Sequence, residues 1–428
     1  MITRVQALRY RCFHQLDARW QSYNVLTGAT GSGKSTLLDI PQLFGDLLTY
    51  GVSAAFYATS PVFGTPRVRD PRELIHCQSG DDFGLIIEAQ LPRPLSAYLA
   101  DRAAGETSNE KRRWPYTLRY EVQFEVVDRS VRVKEEVLWL IPKRGRKAEK
   151  EFQIGEQRPE AWRYLIRREV GKFAGVRPLD GWENQGRGSG DLVLLSDPGP
   201  DTLLLNTCAL WHPAMNWLSH FLTHGVLFYF PDLPGMHYAC PPDEENTRSM
   251  RSDAINLPWM VRKLQEEKPE MFAMWVEHIR VTLPPIVTID TYIDRDDSSA
   301  SLQVEYQGGH TLTSAGLSNG TLAMLALTIL PYLTDLPELV CLREPENSVH
   351  LHRIETILQS LRALYNSQVW VSTHSPMILA HTEAKSIILM RDVGNNAIEA
   401  VNGSQYPRLR LWQSRINQSA YLLTDVLD

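Results

Sequence analysis

The sequence predicts an α/β protein: a largely parallel sheet with flanking helices, assembled from both ends of the chain around a β-meander and a helical insertion. Three observations predict it. Gly28-Ala29-Thr30-Gly31-Ser32-Gly33-Lys34-Ser35 fits GxxxxGK[ST] between a strand pattern and a helix pattern. From Phe83 to Lys134, apolar and polar residues alternate with period two. After Leu339, short apolar strand runs alternate with a helical stretch.

In chain order, Ile2 to Leu8 alternates as a strand, and Tyr23-Asn24-Val25-Leu26 is a second short apolar run. The Gly-rich stretch breaks that run before Thr36-Leu37-Leu38 opens a helix, which Pro41 is expected to kink or end. Phe83–Glu88, Tyr116–Val126 and Val131–Lys134 read as an antiparallel meander with a turn at Asp128-Arg129-Ser130. Gly181–Gly190 and Pro241–Ser252 are polar and rich in breakers, and are expected to form mobile loops. Helical segments are expected around Met215–Thr223 and Trp259–Ile279. Leu339–Leu342, Gln368–Val371 and Ser386–Met390 read as strands, and Ile354, Ile357, Leu358, Leu361 and Leu364 share one helical face between the first two. No repeat or sustained heptad appears between residues 51 and 310, which excludes a long coiled-coil arm.

Composition narrows the function classes. At about 150 residues per domain, 428 residues predict roughly three domains' worth of chain and a sizeable core. The 44 Lys and Arg against 50 Asp and Glu give a formal charge of −6, which excludes a chain that coats nucleic acid by bulk charge. No apolar run reaches the roughly 18 residues of a bilayer helix, the longest being broken by Pro231 and Pro331, so no membrane role is expected. Arg4, Arg9 and Arg11 interrupt the N-terminal apolar residues, and a secretory signal is not expected. Cys12, Cys77, Cys208, Cys240 and Cys341 are scattered, odd in number and form no CxxC, which suits a reducing cytoplasm.

The phosphate loop carries the clearest chemistry. Its glycines let successive backbone N–H groups turn inward around phosphates, and the following helix adds its positive end. Lys34 would reach the β- and γ-phosphates, and the Ser35 hydroxyl would ligate Mg²⁺. Downstream, Leu317-Ser318-Asn319-Gly320-Thr321 precedes an apolar helix. Arg343-Glu344-Pro345-Glu346-Asn347 ends one strand, and Thr373-His374-Ser375-Pro376 ends another. Ser318 lies 26 residues before Glu344, and His374 lies 30 after it.

This ordered set resembles the ABC-type ATPase heads of the RecF, SMC and OLD group, and especially the stand-alone AAA-family ATPases of that group in bacterial defence operons. The likeness covers residues 1–50 and 301–390, and more loosely Asp253 to Tyr306 with its Leu283-Pro284-Pro285-Ile286. It implies a P-loop NTPase fold of the ABC-head type. The core would be 1–50 with 301–428, the β-rich arm 51–200 and the helical insertion 201–300.

The resemblance also implies roles. ATP and Mg²⁺ would be held by Gly28, Thr30, Gly31, Ser32, Gly33, Lys34, Ser35 and Thr36, with Ser35 the metal ligand. Ser318 and Gly320 would be the signature that caps the nucleotide of a second head, so that ATP drives a homodimer or a higher even oligomer. LSNG alone is also what an ordinary helix N-cap looks like. Glu344 matches the catalytic glutamate and His374 the switch histidine that senses the γ-phosphate. Arg11 and Phe13 sit where related heads place residues near the nucleotide, although a solvated Arg and a core Phe read equally well. Gln78 is the early candidate for a Q-loop glutamine.

One departure matters. Where the family keeps an acid that orders Mg²⁺, this chain has Arg343, which cannot ligate a cation. Three explanations stay open: a register shift that gives the acidic role to Glu344 or Glu346, a metal held by Ser35 and nucleotide alone, or an ATPase that binds ATP and turns it over slowly.

Other clusters carry weaker signals. Residues 111–150 carry 12 Lys and Arg against 6 Asp and Glu, and Lys143, Arg144, Arg146, Lys147 and Lys150 form either a DNA or RNA contact or a solvated hairpin tip. His220 and His224 have metal spacing without HExxH, so a packed helix is the better reading. His350 matches a family histidine, with Leu351 in place of the usual proline. The chain shows no nuclease motif, and the 37 residues after Arg391 are fewer than a Toprim domain needs, so a separate effector protein is expected. The leading expectation is a cytoplasmic ATP-dependent switch for such an effector, a nuclease in anti-phage defence. A RecF-like DNA-repair ATPase is the alternative, and an ABC transporter motor fits less well.

Overall fold

The structure, a computed structural model, describes residues 1–60, 64–102, 116–142, 162–179, 192–394 and 397–415. They fall into two units. The first comprises Met1–Gln21, Thr30–Val226 and Met390–Val401, and the second Ser22–Ala29, Leu227–Leu389 and the chain from Asn402.

In the first unit, alternation builds one antiparallel sheet. Its strands are β1 (Ile2–Tyr10), β2 (Phe13–Arg19), β4 (Asp82–Gln90), β5 (Tyr116–Val127), β6 (Ser130–Pro142), β7 (Arg163–Glu169), β8 (Phe173–Val176) and β9 (Val193–Leu194), in the order β2-β1-β4-β5-β6-β7-β8-β9. β3 (Tyr23–Gly28) belongs to the second unit. The expected meander is present: β4 pairs with β5 and β5 with β6, closed by a two-residue turn whose Asp128 and Arg129 both have positive φ, 48° and 60°. β2 was not anticipated, because only Phe13, Leu16 and Ala18 of its seven residues are buried. β1 was expected to belong with the phosphate-loop core, but it pairs with β4, Val5 opposite Ile87 and Ala7 opposite Leu85.

The helix after the phosphate loop runs from Lys34 to Tyr50, so Pro41 neither ends it nor marks its boundary. Burial of Leu37, Leu38, Ile40, Leu43, Phe44, Leu47 and Leu48 outweighs the one lost hydrogen bond. Arg67 also staples the helix on both sides of the proline. Its guanidinium donates to both oxygens of Asp39 at 2.9 Å and reaches Asp46 at 2.7 Å.

In the second unit, β10 (Val226–Tyr229), β14 (Leu339–Arg343), β15 (Gln368–Ser372), β3 and β16 (Ile387–Asp392) run in the order β10-β14-β15-β3-β16. β14 and β15 are parallel, as are β15 and β3. Leu339 to Leu342 and all five residues of β15 are buried, the near-continuous apolar pattern of a strand covered on both faces. A three-stranded antiparallel sheet follows the order β11 (Ile286–Ile293), β12 (Ala300–Tyr306), β13 (His310–Thr313).

The core of this unit gathers Trp275, Leu322, Met324, Val340, Leu358 and Val371. Its helices include Leu257–Glu267 and Pro269–Thr282, so the single helical stretch expected around 259–279 is broken at Lys268-Pro269. Residues 241–252, expected as a mobile loop, carry the helix Glu244–Arg248. Asn256 fixes this segment by donating to the Asn246 and Ser249 carbonyls, and Arg251 pairs with Asp253. The other expected loop, 181–190, lies outside the described residues.

Candidate functional site

Register places three of the motif loops at one edge. Arg343 lies opposite Ser372, and Ser372 opposite Leu26, so the chain leaves β14 at Glu344, β15 at Thr373 and β3 at Gly28 from the same carboxyl end of the sheet. Outside the carboxyl ends of parallel strands is where α/β sheets hold their ligands. The phosphate loop begins there and continues into the first unit at Thr30.

Within the loop, Gly33 is the N-cap of the helix Lys34–Tyr50, left-handed at φ 84°, with no side-chain cap and no acid in the first turn. A Cβ on Gly33 would lie 2.6 Å from Cys12 Sγ and 2.6 Å from the Phe13 ring, so both torsion and space require glycine. Ser32 Oγ is buried without a hydrogen-bond partner, while Thr30 and Ser35 are exposed. An uncapped helix end, an exposed Ser35 hydroxyl and an orphaned Ser32 hydroxyl fit a phosphate group and its metal.

The β1–β2 turn thus abuts the loop. Phe13 is fully buried there, and burial pushes the Cys12 thiol up despite its hydrogen bond with Thr36. Arg11, at φ 52°, donates to the Arg67 carbonyl at 2.7 Å and lies over the Tyr10 ring.

The acidic edge separates its charged residues sharply. Arg343 is exposed, with its guanidinium 5.8 Å from the Phe230 ring centroid. Glu344 has φ 47°; its N–H donates to Ser372 O at 2.8 Å, and its carboxylate accepts from Asn347 at 3.1 Å. Glu346 turns toward the neighbouring motif, where Oε1 accepts from the Thr373 hydroxyl at 2.5 Å and from the His374 N–H at 3.1 Å. Its Oε2 is buried with no hydrogen-bond partner. Thr373 Oγ1 also accepts from Ser375 N at 2.8 Å, which fixes the turn and leaves the His374 side chain exposed.

Ser318 is the N-cap of the helix Asn319–Thr328, its Oγ accepting from Thr321 N at 3.2 Å. Ser318 and Asn319 are exposed. A Cβ on Gly320 would stand 3.0 Å from the Ser348 carbonyl, so the Ser318–Gly320 turn packs on the turn that follows Glu346.

Gln78 is exposed at the end of a short 3-10 turn. His220 and His224 stack at 4.9 Å on the helix Pro213–His224, and no group of three or more metal-binding side chains occurs among the described residues. His350 is exposed and stacks on His352. Lys143, Arg144, Arg146, Lys147 and Lys150 lie outside the described residues. Sequence reasoning missed Phe230, the hydroxyl role of Thr373, and His237, whose ring touches Asn319. The TH of the THSP turn was the one available signal; a lone histidine in a Pro-Gly loop offers none.

One family model matches part of the chain. Residues 243–380 match the model described as "AAA domain, putative AbiEii toxin, Type IV TA system". That span holds the signature turn, both glutamates and the His374 turn. No curated protein matches the chain. Among solved structures, the Smc head domain with an extended coiled coil, bound to the C-terminal domain of ScpA and derived from Pyrococcus furiosus, is 11% identical, with 97% of this chain and 99% of that chain covered at a TM-score of 0.48. The SmcHead bound to the C-winged helix domain of ScpA is 11% identical over 94% of this chain and 97% of that one, at 0.46. The SMC head domain from Thermotoga maritima is 10% identical over 94% and 98%, at 0.38. The protein carries a mixed α/β domain of the P-loop ATPase type, a class that generally uses ATP and Mg²⁺. No helix among the described residues is long and apolar enough to cross a membrane.

Proposed function

We propose that the protein is a stand-alone ABC-type head of the RecF/OLD-like group, which binds and slowly hydrolyses ATP, closes into a homodimer around it, and so switches a separate effector. The observation that carries the reading is the shared carboxyl edge, where the parallel register of β14, β15 and β3 brings the glutamates, the His374 turn and the start of the phosphate loop to one end of one sheet.

In this reading Lys34 neutralises the β- and γ-phosphates, the backbone N–H groups of Gly31 and Gly33 cradle them, and the Ser32 hydroxyl finds its missing partner there. Ser35 would hold Mg²⁺, whose contribution when bound is to offset phosphate charge. Glu344 orients the attacking water and accepts its proton, and the exposed His374 imidazole meets the γ-phosphate. Glu346 holds the His374 turn through Thr373 and the His374 N–H. Arg343, lying over Phe230, contributes no metal ligand, which accounts for slow turnover. Ser318 and Gly320 cap the partner copy's nucleotide with the N-terminus of their helix. The toxin–antitoxin wording of the matching family supports a two-component system, and we assign the effector to a nuclease in anti-phage defence, in the cytoplasm.

The test is mass in solution. The parent should double its mass with ATP and Mg²⁺, while Lys34→Ala and Ser318→Arg should stay monomeric. A parent whose mass ignores ATP, or a Ser318→Arg variant that dimerises like the parent, would refute the switch.

A further inference from the structure

We propose that His237 is a positioning residue for the signature turn, clamping it so that the N-terminus of the helix Asn319–Thr328 is held ready for a second copy's nucleotide. The proposal rests on the reading of Ser318 to Gly320 as that signature. His237 ends a 3-10 turn, Gly235–His237, whose Met236 is buried in the core of the second unit. Its ring spans the signature from outside: Nδ1 is 3.0 Å from the Ser314 carbonyl, and Nε2 is 2.8 Å from Asn319 Oδ1. Ser314 closes the turn from below, because its carbonyl also accepts from Leu317 N and its hydroxyl from Leu302 N.

The chemistry suits a clamp. A carbonyl only accepts, so Nδ1 carries the proton and donates to Ser314. Nε2 is then an acceptor in the neutral ring and a donor in the imidazolium, and the Asn319 amide can offer either its N–H or its oxygen. The contact survives both charge states. A Cβ on Gly320 would stand 3.0 Å from the Ser348 carbonyl, so a side chain there would fit only if that carbonyl gave way by a few tenths of an ångström. The Ser318–Gly320 turn therefore touches both the Gly235–His237 turn and the turn that follows Glu346, with Ser318 and Asn319 left exposed.

The experiment measures ATP-driven dimerisation by sedimentation for the parent, His237→Ala, Asn319→Ala, the double variant and Ser318→Arg, with ATP affinity measured alongside. Loss of the solvent-exposed His237–Asn319 hydrogen bond should raise the dimer dissociation constant about three- to tenfold in each single variant. The double variant should be no worse than His237→Ala, which already removes the Asn319 contact together with the one to Ser314. Any change in the monomer's ATP affinity should be smaller than the change in dimerisation. If His237→Ala fails to fold, Asn319→Ala tests the same contact from the helix side. Parental dimerisation of both single variants while Ser318→Arg stays monomeric would overturn the clamp and leave the signature reading standing. Additive losses in the double variant would also overturn it. Parental dimerisation of Ser318→Arg would remove the signature reading, and the clamp with it.

Discussion

Glu136, in the antiparallel sheet of the first unit, and Glu346, at the parallel edge of the second, are both drawn out of water, but their oxygens are used differently. Glu136 Oε1 accepts from the Tyr120 hydroxyl at 2.8 Å and Leu205 N at 2.9 Å, while Oε2 accepts from Leu204 N at 2.6 Å and lies 3.3 Å from Arg168 Nη1. Burial still pushes its carboxyl up against all of these. Glu346 satisfies one oxygen with Thr373 and His374 and leaves the other buried and unpartnered. A saturated carboxylate ties two segments of a fold together, whereas an unsaturated one at a strand end keeps a lone pair for something that is not protein.

Removing each carboxylate should expose that difference first. Glu136→Ala leaves the Leu204 and Leu205 N–H groups and the Tyr120 hydroxyl without their acceptor, while Arg168 keeps Asp197 and two backbone carbonyls, and should cost about 3–5 kcal/mol in urea unfolding. Glu346→Ala should cost only about 1 kcal/mol, the scale of its hydrogen bonds to one turn. Equal losses would erase the contrast.

The first unit also contains a pH-sensitive contact. His212 caps the helix Pro213–His224, its Nδ1 accepting from Ala214 N at 3.1 Å. Burial, and then the Arg177 charge, hold the imidazole down at about 4 against 6.5. Between those values the unfolded chain takes up a proton that the folded one refuses. Stability from this group is therefore complete above pH 6.5 and falls as the pH drops toward 4, by up to about 3 kcal/mol. His212→Asn keeps a cap acceptor without the titration, and should flatten the unfolding curve across that window.

At the parallel edge the expected effects are kinetic. Glu344→Gln should lower ATP turnover about 100-fold with ATP affinity kept, as expected for a general base. Glu346→Gln keeps an acceptor for Thr373 and should lower turnover only about tenfold. The opposite ranking would assign the base to Glu346 and shift the register by two residues.

How much of this the sequence disclosed depended on whether the information was local. The GxxxxGK[ST] pattern is eight consecutive residues, and β14 and β15 are short runs built on Leu339–Leu342 and Val369–Val371, so both were legible. Pairing β1 with β4 required contacts about 80 residues apart, which no local pattern encodes. Pro41 misled because the Arg67 bridge from Asp39 to Asp46 is a tertiary contact. At Arg343 the chemistry was legible but its direction was not, since only the structure places the guanidinium over Phe230.

Arg343 gives the smallest expected effect on stability. Arg343→Ala removes an exposed cation–π contact and should cost about 0.5–1 kcal/mol in urea unfolding. Arg343→Asp should at the same time raise turnover by restoring an acid beside Glu344. Unchanged turnover would mean that this strand position faces no metal.

Whether the chain binds ATP through residues 28–36 is read from titration calorimetry of ATP with Mg²⁺ into the parent and Lys34→Ala. The parent should bind measurably and the variant about 100-fold more weakly at an unchanged melting temperature, because the β/γ charge loses its principal side-chain partner. Equal affinity in the two proteins would contradict it.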